Sequence, residues 1–203
     1  MTTPFKGIKI KLGDGDLARD VETVRAVRAI TGPEVALMVD YNQSLDAAEA
    51  RRRIGRLRRF DLAWVEEPVA AEDLAGHARV RAAVDVPVQT GENWWFPRDM
   101  ARALAAGACD LAMPDLGKIG GVTGWLGAMG QGAAASIPVS SHVYVEASAH
   151  VLPVTPTAHW LEHLDLAGGI LEEPPPVVAG TVAARGPGLG LAWDEAAVAR
   201  HAL

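Results

Sequence analysis

A single cysteine, Cys109, in 203 residues leaves no internal disulfide to consider. Its setting in GACDLAM marks it as a small buried residue of a reducing compartment. No apolar run approaches the length needed to span a membrane, and MTTPFKG offers no apolar core for a secretion signal. A cytoplasmic chain without a membrane partner is expected. The net charge of −6 argues against a nucleic-acid partner. The run RRRIGRLRR, Arg51 to Arg59, keeps a helical pattern and is expected to form a solvated outer face. Lysine is also scarce, at four of nineteen basic residues: Lys6, Lys9, Lys11 and Lys118. Arginine cannot be deprotonated and so cannot act as a general base, which makes Lys11 a candidate for chemistry. With 49% hydrophobic residues, the chain can bury a core as one globular domain.

Apolar runs alternate regularly with helical patterns. GIKIKL reads as a strand and precedes DLARDVETVRAVRAIT, where Val21, Val24, Val27 and Ile30 recur at helical spacing until Gly32-Pro33. VALMVDYN is the next strand, followed by a helix from Ser44, as N-cap, to Leu57. LAWVEEP, closed by Pro68, precedes a helix around Leu74–Val84. VPVQTGEN, CDLAMPD, IPVSSH and HWLEHLD give four more strands, separated by helices over Pro97–Ala106, Val122–Ala135 and roughly Val145–Leu152. Strands of this kind between helices indicate a parallel sheet covered by helices, an α/β barrel of the TIM type. Only seven strands are counted where a barrel has eight, so residues 1–170 read as a truncated barrel lacking its first strand–helix unit. Residues 171–203, rich in Gly and Pro, read as a C-terminal extension.

Lys11, Asp40, Glu66, Glu92, Asp115, His142 and Glu162 each end an apolar run, at gaps of 29, 26, 26, 23, 27 and 20 residues. That is the length of one strand–helix unit, and a parallel barrel delivers every strand's last residue to one face, where active sites sit. Asp40, Glu66 and Glu92 end three consecutive strands, and three neighbouring carboxylates repel unless a cation joins them. A donor set of oxygens without Cys or His favours Mg²⁺, with Mn²⁺ possible. Lys9 and Lys11, two apart on one strand, share a face, while Ile8 and Ile10 point the other way into a cover. Two adjacent ammonium groups disfavour each other's charge, which predicts a lowered lysine pKa. Asp115 beside His142 predicts a base of defined tautomer, and the other five histidines are expected to be structural.

The stretches VDYNQSLD, WVEEP, VPVQTGENW, LAMPDLGKIGGVTGW, SSH and TPTAHWLEHLDLAG resemble the mandelate racemase family of the enolase superfamily (the mandelate racemase/muconate lactonizing enzyme family), from Phe5 to Leu203. The resemblance implies Mg²⁺ at Asp40, Glu66 and Glu92, with Lys11 the base for an S substrate and His142, assisted by Asp115, the base for an R substrate. It implies that Lys9 neutralises the substrate carboxylate and that Asn42 approaches the metal or the α-hydroxyl. Glu162 would be a protonated acid donating to the second carboxylate oxygen. Lys118 would stand behind these groups as a supporting partner, and Val143, Val145 and Leu164 would make apolar substrate contacts.

The family carries an N-terminal capping domain that closes the site and receives the C-terminal segment; neither that domain nor the first barrel unit is present in these residues. Expected are 1,1-proton transfer on a small 2-hydroxy carboxylate, a homo-oligomer, and little activity for the chain alone. Dehydration of a sugar acid (an aldonate) by the same groups is the alternative, and an inactive fragment or interaction module is the other.

Overall fold

The computed structural model describes residues 5–201. Seven parallel strands, β1 (Gly7–Lys11), β2 (Ala36–Asp40), β3 (Leu62–Glu66), β4 (Val88–Thr90), β5 (Leu111–Ala112), β6 (Val139–Ser141) and β7 (Ala158–Leu161), form one sheet in chain order. The sheet curls into a half-barrel whose edges are β1 and β7. Six helices join the strands: α1 (Leu17–Thr31), α2 (Ala47–Leu57), α3 (Leu74–Arg81), α4 (Phe96–Ala105), α5 (Gly121–Ala134) and α6 (Val145–Val151). A seventh, α7 (Glu195–His201), closes the extension.

Period-two alternation decides which side chains face the helices and which face the hollow of the sheet. Leu37, Val39, Val65 and Val88 are fully buried under the helices, with Ile10 packed beside them. The alternate residues Met38 and Trp64 pack with Leu111 in a separate small cluster on the concave side. Lys9 pairs in register with Met38 and Lys11 with Asp40, so Lys9 rises from the Met38 layer toward the charged rim, where Lys11 and Asp40 stand and where its Nζ reaches Glu66. A second core, around Trp125, Met100 and Ile119, holds α4 and α5 against the later strands.

Local chemistry moves some boundaries from their expected places. α2 begins at Ala47 because Asp46, not Ser44, caps it, its Oδ1 accepting from the Ala48 and Glu49 amides at 2.9 and 2.8 Å. Ser44 still belongs to the preceding turn, its N–H donating to the Tyr41 carbonyl. α3 ends at Arg81, and the β5 ladder holds only two residues, with Pro114, which has no N–H, just beyond it. The arginine run is not wholly solvated. Arg53 turns inward, where its Nη1 donates to Asp20 Oδ2 at 2.7 Å; Asp20 and Arg53 are 2% and 8% exposed. The extension folds back on the chain: Leu171 bridges Trp193, the Asp194 amide donates to the Ile170 carbonyl, and Ala197 is buried. Among the described residues no helix is long and apolar enough to cross a membrane.

Candidate active site

The strand ends converge as the spacing requires. Asp40 and Glu66 close β2 and β3 in direct register. Glu92 lies two residues past β4, after Gly91 at φ +143°, where a Cβ would sit 2.9 Å from the Met113 backbone. Only glycine permits that approach, and it lets the chain turn so that Glu92 faces its neighbours. Among the described residues, Asp40, Glu66 and Glu92 bring one carboxylate oxygen each within 4.8 Å of the others.

Three anions so close need compensating charge, and part of it comes from the lysines. Lys9 Nζ lies 2.7 Å from Glu66 Oε1 and 2.5 Å from Glu162 Oε1, and Lys11 Nζ is paired with Asp40 Oδ2. Glu66 also accepts from Trp64 Nε1 at 3.3 Å and Gln89 Nε2 at 3.2 Å. Even so, burial pushes Glu66 up to about 8; Lys9 opposes this, while Asp40 and Glu162 add to it. A buried carboxylate whose surroundings still disfavour its charge fits a site completed by a hard divalent cation.

Lys9 behaves differently from the expectation of a lowered lysine pKa. Burial opposes the charge of Lys9, but the Glu66 and Glu162 carboxylates outweigh it and hold the pKa above the ordinary lysine value. Carboxylates at contact distance dominate over a like charge two residues away. The neighbours of Glu162 also favour its charged form. Burial pushes its pKa upward, yet Lys9, the Val143 amide at 2.9 Å and His142 bring it below the usual carboxylate value.

On the other flank, Asp115 and His142 form a parallel bridge beyond β5 and β6. Asp115 Oδ2 faces His142 Nδ1 at 2.8 Å, leaving Nε2 turned toward Glu92 Oε2 at 3.5 Å. Burial works against the imidazolium, but the Asp115 hydrogen bond and the Glu92 and Glu162 charges raise His142 above its ordinary pKa. Val143 and Tyr144 follow at φ +40° and +46°. A β-branched residue in the left-handed region is strained, which is a frequent feature of functional rims.

A cavity of about 390 Å³ opens on this rim, lined by Lys9, Lys11, His142, Glu162, Val143 and Leu164. Val143 and Val145 are buried, Val145 outside the cavity lining, and Leu164 is exposed. Asn42, at φ +43°, is exposed and donates its amide to Asp40 Oδ1 at 2.8 Å. Lys118 touches both Asp115, through its amide at 2.9 Å, and Asn93, through Nζ at 2.8 Å. Cys109 takes no part: burial pushes its thiol up to about 12.

Three rim residues carry no mark in the strand-end spacing. Glu67, Gln43 and Asn93 are joined by hydrogen bonds of 2.9 to 3.1 Å, and burial pushes Glu67 up to about 7, with Glu92 adding to the shift. The doublet in WVEEP was the available signal. Strict alternation places Glu67 opposite Glu66, but its φ of +37° breaks the alternation.

Comparison with known proteins gives the same geometry a family. The description "Enolase C-terminal domain-like" matches residues 2–197. The chain belongs to this family. A crystal structure of an enolase from Bradyrhizobium, complexed with magnesium and mandelic acid, has a TM-score of 0.95 at 63% identity, covering 97% of this chain and 54% of that one. A racemase from Streptomyces coelicolor A3(2) with bound magnesium gives 0.93 at 33% identity, covering 97% of this chain and 55% of that one. The L-talarate/galactarate dehydratase of Salmonella typhimurium is 35% identical over 82% of this chain and 42% of its own length. The chain thus spans about half the length of the family members it matches.

Proposed function

We propose that this chain carries the catalytic face of a mandelate racemase-like isomerase, which removes and returns the α-proton of a 2-hydroxy carboxylate. The observation that carries the reading is one cluster of three carboxylates with Lys11 on one flank and the Asp115–His142 pair on the other. Asp40, Glu66 and Glu92 would hold Mg²⁺, or Mn²⁺ in its place. When bound, the cation supplies a Lewis acid that stabilises the charge of the enediolate. Relatives crystallised with magnesium, one of them also with mandelic acid, support both the ion and the substrate class.

The chain's own groups divide the remaining work. Lys11 Nζ takes or returns the proton on one face of the α-carbon and His142 Nε2 on the other, with Asp115 fixing the tautomer through Nδ1. Lys9 presents its ammonium to the substrate carboxylate. Glu162, paired with Lys9 in the free chain, meets a second carboxylate when substrate arrives; like-charge repulsion then favours its protonated form, which donates to the developing oxyanion. Asn42 contacts the α-hydroxyl side, and Val143 and Leu164, on the cavity wall, take the apolar substituent, while the buried Val145 is left out of that contact. The assembled enzyme is expected to be a homo-oligomer.

A second reading, dehydration of a sugar acid, is favoured by the similarity to the Salmonella dehydratase. The same enediolate would expel a β-hydroxyl with His142 as the acid. Incubating a full-length protein carrying this barrel with 2-hydroxy acids and aldonates in D₂O separates the two. Deuterium at Cα with loss of optical purity supports the racemase, whereas a 2-keto product overturns it in favour of the dehydratase.

A further inference from the structure

Glu92 and Asp115 come from different loops, and neither sits in a strand ladder. Behind them runs a continuous line of hydrogen bonds through four successive rim segments. Gln43, past β2, accepts at Oε1 from the Ala71 amide at 2.8 Å and donates Nε2 to Glu67 Oε2 at 2.9 Å. Asn93, past β4, donates Nδ2 to both Glu67 oxygens at 3.0 and 3.1 Å and to Glu92 Oε1 at 3.4 Å. Its Oδ1 accepts from Lys118 Nζ at 2.8 Å, and the Lys118 amide donates to Asp115 Oδ1 at 2.9 Å.

With Glu67 ionised, the polarity of this line is fixed throughout. A carboxylate only accepts and an ammonium only donates, so Glu67 at one end and Lys118 at the other force one orientation of the Asn93 amide. Gln43 is fixed in the same way between Glu67 and the Ala71 amide. Lys118 grips Asp115 and Asn93 at once, and Asn93 grips Glu92. Glu67 is fully buried, so its charge needs these donors.

We propose that Gln43, Glu67, Asn93 and Lys118 form a positioning chain that sets Glu92 and the Asp115–His142 pair at a fixed separation, coupling the cation's place to the base on that flank. This rests on the reading above, which makes Glu92 a metal ligand and His142 a base. The chain touches neither substrate nor metal; it acts through the residues that do.

The test uses the 203-residue protein with two readouts: Mg²⁺ affinity by calorimetry, and the proton resonance of the His142 Nδ1–H donated to Asp115. Lys118→Met and Asn93→Leu roughly keep the volume; the first removes the Nζ bond to Asn93 while leaving the Lys118 amide on Asp115, and the second removes the Asn93 bonds to Glu67, Glu92 and Lys118. Each is expected to weaken Mg²⁺ binding roughly tenfold or more, as loss of a ligand-orienting partner does, and to shift or broaden the His142 resonance in metal-free protein. Lys118→Arg, which retains a donor, is expected to restore both. Wild-type affinity and an unmoved resonance in Lys118→Met and Asn93→Leu would overturn the chain. So would losses that merely follow a lowered thermal midpoint and are no better in Lys118→Arg. If the unaltered protein fails to bind Mg²⁺, the metal reading falls, and the metal-free resonance still decides whether the chain positions His142.

Discussion

Lys11 reaches the carboxylates from β1, an edge strand, with its side chain 61% exposed, while His142 reaches them from inside the sheet with its side chain 21% exposed. Lys11 is held by charge: its ammonium pairs with Asp40, and Lys9 below it pairs with Glu66 and Glu162 across the open side of the sheet. His142 is held by geometry: a backbone bridge to Asp115, a directed hydrogen bond at Nδ1, and the amides of residues 117 and 118 behind Asp115. Charge alone tolerates displacement, because Coulomb attraction is only weakly directional, whereas an oriented imidazole does not. The two flanks are therefore open to different perturbations.

The largest effect is expected from breaking the support of the lysine flank. Asp20 receives Arg53 Nη1 at 2.7 Å, the Tyr41 hydroxyl at 3.2 Å and the Gly13 amide at 3.3 Å, tying the segment after Lys11 to α1 and α2. Asp20→Ala removes all three of these bonds at once, leaving Arg53 with Glu49 as its remaining carboxylate partner, and about 3 kcal/mol of unfolding free energy should be lost in urea titrations. The His142 resonance described above should stay in place, which would show the flanks to be independent. Movement of that resonance would contradict the comparison.

Metal should act on both flanks together. If Asp40, Glu66 and Glu92 hold one ion, Mg²⁺ at a hundred times its dissociation constant should add about 2.7 kcal/mol by mass action. Differential scanning calorimetry with Mg²⁺ and with chelator measures this, and an unchanged midpoint would count against the triad as a metal site.

The smallest effect is a pH dependence confined to the histidine flank. In metal-free protein, burial opposes both charges of the pair, but their hydrogen bond, the Lys118 and Gly117 amides at Asp115 and the Glu92 and Glu162 charges at His142 prevail, lowering Asp115 and raising His142. A raised His142 contributes stability below its unfolded pKa, lost as pH rises through the folded value. A lowered Asp115 contributes above its unfolded pKa, lost as pH falls through the folded value. With unfolded values of about 3.9 and 6.5, both contributions are present between roughly pH 4 and 6.5. The unfolding midpoint of His142→Gln, measured with chelator, should differ from the unaltered chain most in that window and progressively less as the pH rises beyond it. A difference that grows with pH on the alkaline side of the window would contradict the assignment.

What could be read in the sequence followed from regular periods. Strand alternation put Asp40 and Glu66 on the rim and Leu37, Val39 and Val65 under helices, and the repeat of strand–helix units placed Asp115 beside His142. What could not be read depends on departures from those periods or on pairing between distant residues. Glu67 joins the rim because its backbone enters the left-handed region, which nothing in WVEEP announces. Arg53 is buried by Asp20, thirty-three residues away, so its neighbours in RRRIGRLRR hide it. The raised pKa of Lys9 is hidden from the sequence, which shows Lys11 two residues away but not Glu66 and Glu162 at either side of Lys9.

The central claim, that the two flanks serve opposite faces of one α-carbon, is tested most directly by single-enantiomer exchange. A full-length protein carrying this barrel with His142→Asn would be incubated in D₂O with each pure enantiomer of a 2-hydroxy acid, and deuterium at Cα followed by NMR. Racemisation should fall by about 10²-fold to 10⁴-fold, the usual contribution of a positioned acid–base group, while the enantiomer served by Lys11 continues to exchange its α-proton. Equal exchange of both enantiomers in that variant would contradict the account.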